Sequence, residues 1–287
     1  MIETLEPTTR TASGKIPIVT AILSTLTVYP VKSCAGTSAD VWAVGPAGLH
    51  HDRTWMVVEP SGAFLTQRTA PALATVRPEL LPQGLRLRTP VGSVDVTAGP
   101  PARITPVEVW GFRGPAIDAG EVAADLLAEH LGRPVRLVRP APGFERPADP
   151  EAGDGVPVVF SDGFPLLIAS TASLADLNAR LPRPLPMDRF RPNIVVDAAP
   201  PWAEDDWRRV RAGGIIIDLV KPCTRCRITT VDQRTGRREG AEPLRTLGTF
   251  RRGGRGVQFA MNAVARDAGV LRCGDEVQIV TTSTSTN

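Results

Sequence analysis

Every strand-like stretch of this chain is short and is stopped by a proline, a glycine or a turn cluster. Residues 22–29 alternate loosely and read as an opening strand ended by Pro30. Residues 55–59 read as a strand closed by Pro60-Ser61-Gly62, with residues 63–66 returning as its hairpin partner. Further short runs follow at 85–88, 94–96 and 107–110. This spacing predicts a β-meander rather than βαβ units.

Two stretches change to a helical period. Residues 119–131 carry Val122, Leu126, Leu127 and Leu131 on one stripe, ended by Gly132 and Pro134. Residues 171–181 place Leu174, Leu177 and Leu181 on one face. Between them, Pro140-Ala141-Pro142-Gly143 and Pro147-Ala148-Asp149-Pro150 mark a domain boundary or a long connection near 140–155. Strand-like runs resume at 193–197, 215–220, 227–231 and 276–280, and no repeat of fixed period appears. The expected fold class is mostly β with a few helices (α+β). Its parts are an extended or disordered amino terminus (1–21), a β-rich domain (22–145), a second domain (146–280) and a polar tail (281–287).

With 287 residues, 42% of them hydrophobic, the chain can bury an ample core without disulfides. A net charge of +3 gives little electrostatic support to a nucleic-acid role. Lys15, Lys32 and Lys221 are the only lysines among 33 basic residues, leaving 33 − 3 = 30 arginines. Residues 1–21 lack the apolar run of a signal peptide, and no segment approaches the about 20 apolar residues of a membrane helix. Four cysteines make no disulfide scaffold at this length, so a reducing cytoplasmic setting with no membrane is expected.

Two of those cysteines stand in Lys221-Pro222-Cys223-Thr224-Arg225-Cys226, directly after the run at 215–220. A zinc ribbon would need a second C-x-x-C or a histidine pair. A thioredoxin-type pair would open a helix, whereas Ile228-Thr229-Thr230-Val231 is β-branched and resists one. Two buried, inert thiols are one remaining reading. The other is a single thiolate on a metal, with Arg225 beside it to lower its pKa and hold an anion.

Three further clusters are ordinary singly. Lys32 and Ser33 sit in Tyr29-Pro30-Val31-Lys32-Ser33-Cys34, where a lysine and a hydroxyl at a strand end can grip phosphate. Arg53 stands in Asp52-Arg53-Thr54-Trp55, and Arg191 and Asn193 stand in Phe190-Arg191-Pro192-Asn193. In this order, with the cysteine motif and Gly274-Asp275-Glu276-Val277-Gln278-Ile279 near the end, they resemble the MOSC superfamily. The likeness is to its two-part members, which carry an amino-terminal MOSC β-barrel domain and include the amidoxime-reducing components. It runs from about Ile22 to Val280 and includes Ser170-Thr171-Ala172-Ser173-Leu174.

The resemblance implies a MOSC β-barrel packed with an amino-terminal MOSC-type β-rich domain. It also implies a molybdenum cofactor, the metal held by a pyranopterin dithiolene and by one cysteine. The family's second cysteine in this motif is Cys226 here, which the resemblance makes the metal ligand and catalytic residue. Its cofactor-contacting positions match Lys32, Ser33, Arg53, Arg191, Asn193, Thr224 and Arg225. The cations suit the pterin phosphate, and the hydroxyls and amide suit the pterin edge. Cys223 is left as a packing residue.

The implied activity is reduction of small N-hydroxylated or N-oxide molecules. No iron–sulfur cysteine run is present, so electrons would come from a separate ferredoxin, flavoprotein reductase or cytochrome b5-like protein. The family also contains cofactor-sulfurating enzymes, which leaves sulfur transfer through a Cys226 persulfide, or cofactor carriage, as the alternative. Two departures stand out. Ser161-Asp162-Gly163-Phe164 lacks the expected Thr-Ser pair, leaving only backbone N–H groups for a cofactor contact there. Ala260-Met261 replaces the common Gly and Gln.

Overall fold

The computed structural model describes residues 20–97, 103–198, 200–254 and 256–282. Most of the amino terminus and tail expected at 1–21 and 281–287 lies outside the described residues. Seven strands close into a barrel. In ring order they are Leu166–Ser170, Ile194–Asp197, Thr20–Val28, Glu276–Thr282, Trp207–Ala212, Ile215–Thr224 and Gly256–Ala265, the last pairing back onto the first. Only Leu166–Ser170 and Ile194–Asp197 run parallel among the barrel strands, and the helix Thr171–Arg180 lies in the crossover that such a pair requires.

Side-chain alternation fills the barrel. On Thr20–Val28, Ala21 and Leu23 point into the core, the register shifts between Leu23 and Thr25, and then Leu26 and Val28 point inward. The bulge changes the parity of the strand, so both halves bury their apolar residues. Ile215, Ile217 and Leu219 meet them with Ile168, Val196, Met261 and Val277. Burying each such side chain contributes about 1.5–3 kcal/mol. An amino-terminal strand thus completes a barrel built otherwise from the second half of the chain.

Val41–Gly45 pairs with Gly269–Arg272 from the end of the chain, and most of the remaining first half is the expected β-meander. Arg77–Leu81, Gly84–Thr89 and Gly92–Thr97 form one sheet; Met56–Val58, Arg136–Pro140, Phe112–Asp118 and Ile104–Val109 form another. Residues 63–66 do return along Met56–Val58, through a Val58–Phe64 bridge. The helix expected at 119–131 spans Glu121–Leu131 and ends at Gly132, whose φ of 66° suits a glycine C-cap. Its core face differs from the expected stripe: Val122 is 68% exposed, while Ala123, Leu126 and Leu127 pack against Leu85, Leu87 and Val96.

Two expectations fail around the cysteines. The strand expected at 215–220 continues to Thr224, because register shifts between Leu219 and Lys221 and between Pro222 and Thr224 accommodate the proline. The run at 227–231 is not a strand; Arg227–Thr230 form a 3-10 turn. Thr229 donates from its backbone N (3.1 Å) and Oγ1 (3.0 Å) to the Cys226 carbonyl, and Thr230 Oγ1 donates to the Arg227 carbonyl at 2.8 Å. These local bonds outweigh the β preference of the side chains.

Candidate functional site

The eight residues singled out from the motifs line a single cleft of about 810 Å³, open mouth included. Lys32, Ser33, Arg53, Thr66 and Arg68 come from the first half; Arg191, Asn193 and Cys223–Cys226 come from the rim of the barrel. The bulges that flank Pro222 turn the end of its strand into this space. Ser33 (φ 65°), Arg53 (φ 48°) and Arg191 (φ 55°) all hold left-handed backbone, which costs energy for residues with a side chain and is typical of functional sites.

The cations are individually anchored. Arg53 pairs through Nη1 with the buried Asp52 carboxylate and donates to Asn193 Oδ1 at 3.1 Å. Burial disfavours its charge, but Asp52 more than offsets this and its pKa rises. Arg191 donates from Nη1 to the Cys34 carbonyl at 2.7 Å, and burial pushes its pKa down to about 10. The Tyr29 ring lies 4.5 Å from the Arg53 guanidinium and 4.1 Å from that of Arg191. Lys32 is buried, donates to the Phe160 carbonyl at 2.7 Å and pairs with Asp162; burial lowers its pKa against the pull of Asp162.

The polar residues divide into engaged and free groups. Asn193 Nδ2 donates to the Thr27 carbonyl at 3.2 Å, and its Oδ1 accepts from Leu167 N and Arg53 Nη1. Asn193 thus lines the cleft and also steadies Arg53. The side-chain hydroxyls of Ser33 and Thr224 make no hydrogen bond among the described residues. Arg225 donates from Nη2 to the Phe190 carbonyl at 2.7 Å and from Nη1 to Cys223 Sγ at 3.0 Å. The motif sets that arginine beside Cys226, the candidate metal ligand, but its hydrogen bond goes to the other sulfur. Cys34 and Cys273 pack in two other apolar clusters.

Sequence reasoning missed Arg68, Asp162 and Trp110. Asp162 is more than half exposed, pairs with Lys32 and lies 3.8 Å from Arg68. Trp110 donates from Nε1 to Asp162 Oδ1 at 3.1 Å, and the Arg68 guanidinium sits 4.7 Å above its ring. Arg146 holds the Asp162 loop by donating to the carbonyls of Ser161 and Asp162, each at 2.6 Å. In the sequence, Asp162 stands in Ser161-Asp162-Gly163-Phe164, where only backbone N–H contacts are expected. Nothing in the local sequence of Trp110 or Arg68 announces the cleft. The lining carries five cations (Lys32, Arg53, Arg68, Arg191, Arg225) against one carboxylate, Asp162.

Residues 20–134 match the MOSC N-terminal beta barrel domain, and residues 156–278 match the MOSC domain. The chain belongs to the MOSC family, in the form that carries the N-terminal β-barrel domain. It is 32% identical over 281 residues to mitochondrial amidoxime-reducing component 1 of Homo sapiens, covering 89% of this chain and 82% of that protein. It is also 31% identical over 268 residues to the molybdenum cofactor sulfurase of Danio rerio, covering 85% of this chain. The match spans only 32% of the sulfurase's own length. The YUAD protein from Bacillus subtilis aligns over 93% of this chain and 97% of its own, at 10% identity and a TM-score of 0.40.

Proposed function

We propose that this protein binds a molybdenum cofactor and reduces small N-hydroxylated or N-oxide substrates with electrons from a separate carrier protein. The relatives support a role connected with the molybdenum cofactor, either binding or sulfuration. The observation that supports cofactor binding is an excess of positive charge in the cleft lining. Arg191 Nη2 and Arg225 Nε are buried and have no acceptor among the described residues. With five cations against one carboxylate in its lining, the cleft suits an oxygen-rich anion. A pterin phosphate supplies that charge and those acceptors, and the donor set therefore fits the group.

In this reading Arg53, Arg191 and Arg225 hold the phosphate by charge-assisted hydrogen bonds. The free hydroxyls of Ser33 and Thr224 are placed for the pterin edge, and Asn193 steadies Arg53. Lys32 contributes charge while its ammonium stays fixed by Phe160 and Asp162. The Cys226 thiolate is the soft donor that would complete the metal's coordination. When bound, the cofactor supplies two-electron oxygen-removal chemistry: N–OH plus two electrons and two protons gives N–H and water.

Turnover tests this directly. Holoprotein supplied with reduced methyl viologen is expected to convert benzamidoxime to benzamidine. A metal-replete protein that leaves benzamidoxime untouched, yet forms a persulfide on Cys226, would support the second reading, sulfur transfer, which the likeness to the cofactor sulfurase favours.

A further inference from the structure

The segment after the candidate metal ligand is dense in arginine: Arg227, Arg234, Arg237 and Arg238 lie within twelve residues of Cys226. Its two acids do not balance them. Asp232 Oδ2 and Glu239 Oε2 both accept from the buried Arg189, at 3.1 and 2.6 Å. Asp232 Oδ1 is taken by the backbone N–H groups of Arg234 and Thr235. Arg227, Arg234 and Arg237 are exposed and have no carboxylate partner among the described residues. Arg238 donates to a neutral group, the Arg68 carbonyl.

The arc is fixed against the cleft. Gln233 and Gln67 exchange amide hydrogen bonds at 2.9 Å, next to the cleft residues Thr66 and Arg68. Gly236, at φ 67°, lies so close to Ala72 and Thr75 that a Cβ there would stand 3.1 Å from the Ala72 Cα. The first arginine, Arg227, sits between Cys226 and Ile228, which both line the cleft. A net charge of only +3 over the whole chain makes this a local field, not a reflection of the whole.

We infer that the Arg227–Arg234–Arg237 arc is the docking surface for a small, acidic, one-electron carrier protein that delivers electrons beside Cys226. This rests on the reductase reading above. Exposed guanidiniums on a segment anchored beside the cleft by Cys226, Ile228 and the Gln233–Gln67 bonds attract an acidic partner at long range and orient it, which raises the association rate more than the final affinity. Two docking events, one electron each, match the two electrons that removal of one N-hydroxyl oxygen requires.

The test compares holoprotein with the triple variant Arg227→Glu, Arg234→Glu, Arg237→Glu and with its Gln counterpart. The probes are a purified acidic [2Fe–2S] ferredoxin and methyl viologen. Binding of oxidised ferredoxin is read by fluorescence anisotropy, and benzamidoxime turnover is read with each donor. The expected result is ferredoxin binding that weakens as salt rises from about 0.01 to 0.2 M. At low salt the Glu variant should lose about tenfold or more in association rate and the Gln variant less. Viologen-driven turnover and molybdenum content should be unchanged in both. Ferredoxin binding that is absent, or equally strong in all three proteins and insensitive to salt, would overturn the inference. Failure of the reductase reading looks different: no turnover with viologen either, whatever the binding.

Discussion

Arg225 donates from Nη1 to the sulfur of Cys223 at 3.0 Å, and no described residue donates to the sulfur of Cys226. The two thiols of the C-x-x-C are therefore inequivalent before any ligand binds. Cys223 also packs beside Phe190, Phe259 and Leu247. Its replacement is expected to act on packing: Cys223→Ser should cost about 1 kcal/mol in denaturant unfolding and keep its molybdenum content. Loss of the metal in that variant would give the two sulfurs equal standing.

Tyr29 is the only tyrosine in the chain, so its ionisation can be read by ultraviolet absorbance without ambiguity. Burial pushes its pKa up to about 12, against the opposing pull of Arg191 and Arg53. The folded protein holds the phenolic proton more tightly than the unfolded chain, whose value is 10.0. The resulting stabilisation is fully present below pH 10 and is lost as pH rises through 12. Tyrosinate absorbance should rise near pH 12 in the native protein and near pH 10 in urea.

Asn193 ties three elements together. Its amide bonds the Thr27 carbonyl, Leu167 N and Arg53 Nη1, while its backbone bonds Thr27 and Leu167 again. Asn193→Ala leaves buried partners unmet and is expected to cost about 1–3 kcal/mol by urea unfolding. It should also weaken cofactor retention, because Arg53 loses its guide. Unchanged stability would show that the amide does not hold the barrel to the first half.

Glu204 is a buried carboxyl outside the cleft lining. Its Oε2 accepts from Ser173 at 2.8 Å, and its Oε1 has no partner among the described residues. Burial raises its pKa above the ordinary 4.5, although Ser173 and Arg251 pull the other way and Asp205 adds to the rise. Its contribution is therefore present below pH 4.5 and lost as pH climbs through the folded value. Glu204→Gln should match wild type near pH 4 and become progressively more stable than wild type toward neutral pH. Parallel stability curves would contradict this.

Much of the cleft was legible in the sequence because its residues sit in compact motifs: Lys32 with Ser33, Arg191 with Asn193, Thr224 with Arg225 and Cys226. The mostly β architecture was legible from period and punctuation. What could not be read was set by contacts distant in sequence. Asp162 meets Lys32 across 130 positions, and the amino-terminal strand closes a barrel with Ile194–Asp197 and Glu276–Thr282. Around Cys226 the local rules misled: β-branched side chains suggested a strand, but threonine hydroxyls bonding back to Cys226 and Arg227 made a turn. Val122 matched the helical stripe, yet Ala123 faces the core in its place.

The central claim is that Cys226 alone among the cysteines holds molybdenum. Elemental analysis of protein produced in a host rich in the cofactor tests it most directly, on wild type and Cys226→Ser. The account predicts stoichiometric molybdenum in wild type and none in Cys226→Ser, with both proteins folded. A metal-free wild type, or a Cys226→Ser protein that retains its molybdenum, would contradict it.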